Sequence, residues 1–96
     1  MELIRVATFP KVSNLLLTLA NTEYSFKIET NSRRITIRPR EAVTIKISFT
    51  SGESGLNYLE IRANEEWDEA EIYGEFTIYF QCDTAMTTVE ILEWKQ

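Results

Sequence analysis

Val43, Ile45, Ile47 and Phe49 alternate with Thr44, Lys46 and Ser48 along the chain. Phe76, Ile78, Phe80 and Cys82 alternate in the same way with Thr77, Tyr79 and Gln81, and Tyr24, Phe26 and Ile28 with Ser25 and Lys27. A period of two places successive side chains on opposite faces, the pattern of an antiparallel sheet with one dry face and one wet face. No window carries a helical i, i+3, i+4 stripe. The Glu-rich segment 64–73 offers only Trp67, Ala70 and Tyr73 as a thin apolar face.

Strands are expected at about 15–20, 23–29, 33–38, 43–49, 57–62, 66–73, 76–82 and 87–94. Turn signals separate them at Asn21-Thr22, Asn31-Ser32, Pro39-Arg40-Glu41, Gly74 and Asp83-Thr84. Pro39 is read as a turn residue because it cannot donate to a central strand. The stretch Thr50 to Gly55 reads as the one flexible loop, with glycines at 52 and 55. This spacing predicts an antiparallel β-sandwich of seven or eight short strands over residues 14–96. Its inward set is Phe26, Ile28, Ile35, Ile37, Val43, Ile45, Ile47, Leu59, Ile61, Phe76, Ile78, Phe80, Val89 and Ile91. Residues 1–13 differ: Leu3, Ile4, Val6, Phe9 and Val12 are apolar without clean periodicity, and Pro10 interrupts a ladder. They read as an extended N-terminal arm, partly strand, that packs on its own domain or on a neighbour and makes a homo-oligomer the expected state.

The 96 residues suit one domain, which at this mass buries roughly 65% of the surface of the unfolded chain. Cys82 stands alone, so no internal disulfide is possible, and at an inward strand position it acts as a small hydrophobe. The apolar run Leu15 to Ala20 is broken by Thr18 and falls short of the about 7–15 residues of a secretory leader. No run approaches the ~20 residues of a membrane span, so a soluble protein made in the cytoplasm is expected.

There is no histidine, which removes the commonest general base and metal ligand. Cys82 and the serines therefore lack a partner to activate them, and no enzyme or cofactor is expected. Glu65, Glu66, Asp68, Glu69 and Glu71 could offer oxygens to Ca²⁺, but their spacing is not that of an EF-hand loop. A carboxylate pair for glycoside hydrolysis would arise by chance among fifteen acids. Trp67, Tyr58, Tyr73, Tyr79 and Trp94 could pack in the core, join an interface or stack on sugars; the last makes a carbohydrate-binding module the alternative reading.

Charge is uneven along a chain of net charge −5. Lys27, Arg33, Arg34, Arg38, Arg40 and Lys46 make the first half basic, and Glu60, Glu65, Glu66, Asp68, Glu69, Glu71 and Glu75 make the second acidic. Arg34, Thr36 and Arg38 share a strand face without the interleaved aromatics of a single-strand platform, so nucleic acid is not the expected partner. The basic and acidic patches are expected on different edges of the domain, each facing a partner.

One resemblance runs through Asn21-Thr22-Glu23-Tyr24-Ser25-Phe26, Arg34-Ile35-Thr36-Ile37-Arg38, Phe49-Thr50-Ser51-Gly52 and Tyr58-Leu59-Glu60-Ile61. It continues with Glu66-Trp67-Asp68-Glu69, Ile78-Tyr79-Phe80-Gln81 and Glu90-Ile91-Leu92-Glu93-Trp94. This order resembles small all-β auxiliary virion proteins of tailed bacteriophages, departing at Arg62-Ala63-Asn64 from a Pro-Ala-Gly-like corner. The resemblance implies a virion location, a structural role as capsid decoration (cement) or head–tail component, and the major capsid or another virion protein as partner. The interface candidates are Leu3, Ile4, Val6, Phe9, Arg34, Arg38, Arg40, Trp67, Asp68 and Glu69.

Overall fold

The computed structural model describes residues 9–95, for Phe9 the backbone alone. Eight strands follow one another: β1 Phe9–Leu17, β2 Tyr24–Ile28, β3 Ser32–Pro39, β4 Ile45–Ser48, β5 Leu59–Ile61, β6 Trp67–Ala70, β7 Phe76–Cys82 and β8 Thr87–Lys95. They form two four-stranded antiparallel sheets, ordered β1-β8-β3-β6 and β2-β7-β4-β5. The pairs β1·β8, β2·β7, β3·β6 and β4·β5 are the rungs of one long hairpin. The pairs β3·β8 and β4·β7 form when that hairpin wraps on itself, which is the jelly-roll form of the β-sandwich.

The expected alternation builds the core. Ile28, Ile35, Ile37, Ile45, Ile47, Ile61, Ile78, Phe80, Val89 and Ile91 are buried, and Phe26, Val43 and Phe76 pack against them half-buried. Leu17 and Cys82 complete the cluster. Leu59 departs from the expected inward set: it lies opposite the buried Ile47 yet is 53% exposed. It sits on β5, an edge strand of three residues that no further strand covers among the described residues.

The first strand starts at Phe9 instead of near residue 15, so residues 9–13 of the expected arm belong to the sheet and pair with β8. Pro10 does not stop it because β1 is an edge strand, where a missing N–H need not cost a ladder bond. Pro39 likewise ends β3 beyond Ile37, the last residue paired with β6. Leu3, Ile4 and Val6 lie outside the described residues, and Phe9 is placed opposite Lys95.

The loop expected to be flexible is pinned. The Glu23 carboxylate accepts bonds from the N–H of Gly52 (2.9 Å) and of Ser54 (3.2 Å) and from the Ser54 hydroxyl (2.6 Å). The Ser54 hydroxyl and the Gly52 N–H hold the Glu23 carboxyl below its ordinary pKa. At the corner after β5, Asn64 takes φ 65°, a left-handed conformation that asparagine tolerates.

Truncating the paired aliphatic residues Ile47 of β4 and Leu59 of β5 should separate core from edge. Ile47→Ala should lower the unfolding free energy by about 2–5 kcal/mol. Leu59→Ala should change it by less than about 1 kcal/mol, measured by urea denaturation.

Candidate interaction site

The outer face of the β1-β8-β3-β6 sheet carries a depression of about 420 Å³. Register sets its contents, since residues opposite one another in a ladder share a face. One row across the sheet runs Val12, Leu92, Thr36, Asp68; the next runs Pro10, Trp94, Arg34, Ala70; a third joins Asn14, Glu90 and Arg38. Val12, Leu92 and Trp94 thus form an apolar floor where the alternation calls for polar residues. Val12 is 66% exposed.

Charges wall this floor, and among the described residues all but Glu66 are paired. The Arg34 guanidinium meets Asp68 with two bonds, Nε to Oδ1 at 3.1 Å and Nη2 to Oδ2 at 2.6 Å, and the Thr36 hydroxyl donates to Oδ1 at 3.1 Å. Glu90 accepts from Arg38 Nε at 2.8 Å and from Arg40 Nε at 3.1 Å, while Arg40 Nη2 reaches Asn14 Oδ1 at 2.9 Å. The Arg34 bonds hold Asp68 below the ordinary carboxyl range, with Thr36 adding to the effect, and those of Arg38 and then Arg40 do the same for Glu90.

The Arg34–Asp68 pair overturns the expectation that the basic and acidic patches sit on different edges. β6 pairs directly with β3, so Asp68 is opposite Thr36 and within reach of Arg34. The rest of the basic stretch is also engaged: Lys27 with Glu75 at 3.3 Å, Arg33 over the Tyr73 ring and Lys46 over the Tyr58 ring. Of the interface candidates, Arg34, Arg38 and Asp68 line the depression, and Arg40 borders it through Glu90.

Trp67 and Glu69 belong to the opposite face of β6, across from Ile37 and Ile35. Trp67 packs on Phe49, their ring centroids 5.7 Å apart, and Phe49 packs in turn on Phe76 at 6.1 Å. Lys46 Nζ lies over the Tyr58 ring and the Arg33 guanidinium over the Tyr73 ring.

Two features lie outside the interface residues expected from the sequence. Trp94 is among the candidate aromatics, but its neighbour Leu92, an apolar residue at an outward strand position, is not. Glu93 and Lys95 are buried, at 0% and 4% exposure, because β8 continues its period of two past Ile91. The Ser32 hydroxyl donates to Glu93 Oε2 at 2.6 Å, and Lys95 Nζ donates to Glu29 at 3.0 Å and Asn31 at 3.2 Å. Glu93 Oε1 has no hydrogen-bond partner among the described residues. No group of three or more Cys, Asp or Glu side chains that could hold a metal ion occurs among the described residues. No helix there is long and apolar enough to cross a membrane.

The ion pairs fix the pH response of this face. A carboxyl whose folded pKa lies below its unfolded value stabilises the fold above the unfolded pKa, and that contribution is lost as pH falls through the folded one. The ¹³C carboxyl resonances of Asp68 and Glu90 should titrate below the ordinary range. Arg34→Ala should move the Asp68 midpoint up and leave that of Glu90 in place.

No family model and no curated protein matches the sequence. Among solved structures, the chain is similar to a de novo designed double-stranded beta-helix determined by solution NMR. The two share 9% sequence identity with a TM-score of 0.59, over 88% of this chain and 99% of the designed one. At that identity the likeness concerns the fold alone.

Proposed function

We propose that this chain is a non-enzymatic structural protein that docks the outer face of its β1-β8-β3-β6 sheet on a larger protein surface, as a decoration (cement) component of a tailed-phage virion. The apolar floor of Val12, Leu92 and Trp94, inside a ring where Arg34, Arg38, Asp68 and Glu90 are paired within the domain, carries the reading. Tryptophan and arginine are the side chains that protein interfaces enrich, and apolar centres with polar rims are their usual anatomy. Charges already satisfied within the domain do not demand a partner of opposite sign. They favour a surface that covers the floor and leaves the rim hydrated.

The virion setting rests on the resemblance of the sequence, and the jelly roll is a fold that viral capsid domains use, which adds an argument by analogy. The partner is then the major capsid protein or another virion protein. With the rim pairs worth about 0–1 kcal/mol each, binding should weaken in high salt without being lost.

Co-sedimentation of the full chain with assembled heads of the phage that encodes it tests this. Trp94→Ser should weaken retention by about tenfold or more while the melting temperature holds within a few degrees. A chain that never sediments with heads, at low or high salt, sinks the virion reading. Saturable binding to a sugar panel, lost in Trp94→Ser, would move the assignment to a carbohydrate-binding module.

A further inference from the structure

The four sheet edges are not equivalent. β5 has three residues, β6 has four including Asp68 and Glu69, and β2 has five including the exposed Lys27. Short, charged edges resist pairing with another chain. β1 is nine residues long, and Lys11 is its one charged residue. From Val12 to Thr22 the sequence runs eleven residues without a charge, the longest such run in the chain.

The hydrogen-bonding side of β1 follows from its neighbours. The Thr88 carbonyl accepts from Arg40 N–H and the Thr88 N–H donates to Glu41, so even-numbered residues of β8 turn toward β3 and odd-numbered ones toward β1. By the register of β1 with β8, the odd-numbered residues of β1 are the ones bonded to it. The N–H and C=O groups of Val12, Asn14 and Leu16 therefore point off the edge of the sheet. Pro10 shares their parity, so its missing N–H falls on the open side.

We infer that a second copy of this chain pairs with that edge, β1 antiparallel to β1 about a two-fold axis at Asn14, joining two four-stranded sheets into one. In this register Asn14 faces Asn14 of the other copy, and Val12 faces Leu16 in both directions. All three outward-pointing residues exchange both backbone bonds with their opposites. Val12 and Leu16, 66% and 43% exposed, share the outer face and cover each other. Lys11 falls opposite Leu17, so no like charges meet across the strand pair. A register one residue to either side brings Pro10 or Thr18 into the bonded set and leaves one of the three without its match. The pairing extends the two apolar floors into one continuous surface, and it holds independently of what that surface docks on.

Sedimentation equilibrium of the full chain, with charge substitutions that read the register, tests the inference. Val12→Lys with Leu16→Lys puts like charges opposite each other twice and should raise the dimer dissociation constant by about tenfold or more. Val12→Lys with Leu16→Glu puts opposite charges together twice and should keep it within about threefold of the unaltered chain. Both positions are exposed, and circular dichroism checks that each variant is folded. As a second readout, a short bis-maleimide should cross-link Asn14→Cys between copies, since facing residues of a bonded pair lie about 5.5 Å apart at Cα. An unaltered chain that stays monomeric up to about 1 mM overturns the inference. So does a dimer that the Lys/Lys variant leaves intact, or an Asn14→Cys chain that does not cross-link.

Discussion

β8 is held between β1 and β3 along nearly its whole length, and the rest of the molecule depends on that double pairing. Bonded on both sides, the strand has no freedom to slip, because a shift of one residue would exchange its two faces. The inward set Thr87, Val89, Ile91, Glu93 and Lys95 and the outward set Thr88, Glu90, Leu92 and Trp94 are therefore fixed together. The first set closes the core. The second supplies the floor and one wall of the interaction face. Core and site are two sides of one strand, so packing that secures the first also holds the geometry of the second.

The same constraint explains a carboxylate and an ammonium inside the sandwich. Once Val89 and Ile91 point inward, so must residues 93 and 95. Burying an isolated charge is prohibitive, and the end of the sandwich answers with partners: Ser32 for Glu93, and Glu29, Asn31 and Glu93 itself, at 3.7 Å, for Lys95. The Lys95 and Lys11 ammonium groups hold Glu29 below its ordinary pKa. Buried pairs of this kind contribute little net stability, since desolvation offsets most of the attraction. Their directional demands do specify one end of the fold, where aliphatic side chains alone would accept several packings.

Electrostatics on the outer face work by local cancellation. Cross-strand neighbours stand about 5 Å apart, well within the ~8 Å over which physiological salt leaves charges coupled. Arg34 pairs with Asp68, and Arg38 and Arg40 share Glu90; the one positive charge left over is balanced by Glu66 at the same depression before any partner arrives. The face therefore presents oriented dipoles around an apolar floor, in place of a net field that would draw in polyanions or polycations from a distance.

The sequence by itself determined the elements and their inner faces. Period-two alternation is a local property, and it located seven of the eight described strands and most of the buried set from Ile28 to Ile91, placing the first strand about six residues late. It also contained Glu93 and Lys95, had the alternation of β8 been followed two steps further against the polarity of those residues. What the sequence could not contain was which strands become neighbours. Thr36 and Asp68 stand 32 positions apart, and nothing in the intervening sequence tells of their meeting; wrapping of the hairpin decides it, and with it the contact of two patches that look separate along the chain. The exposure of Leu59 and the tolerance of Pro10 have the same origin. A strand's side-chain pattern is written in its own residues, but whether it lies at an edge depends on every other strand in the sheet.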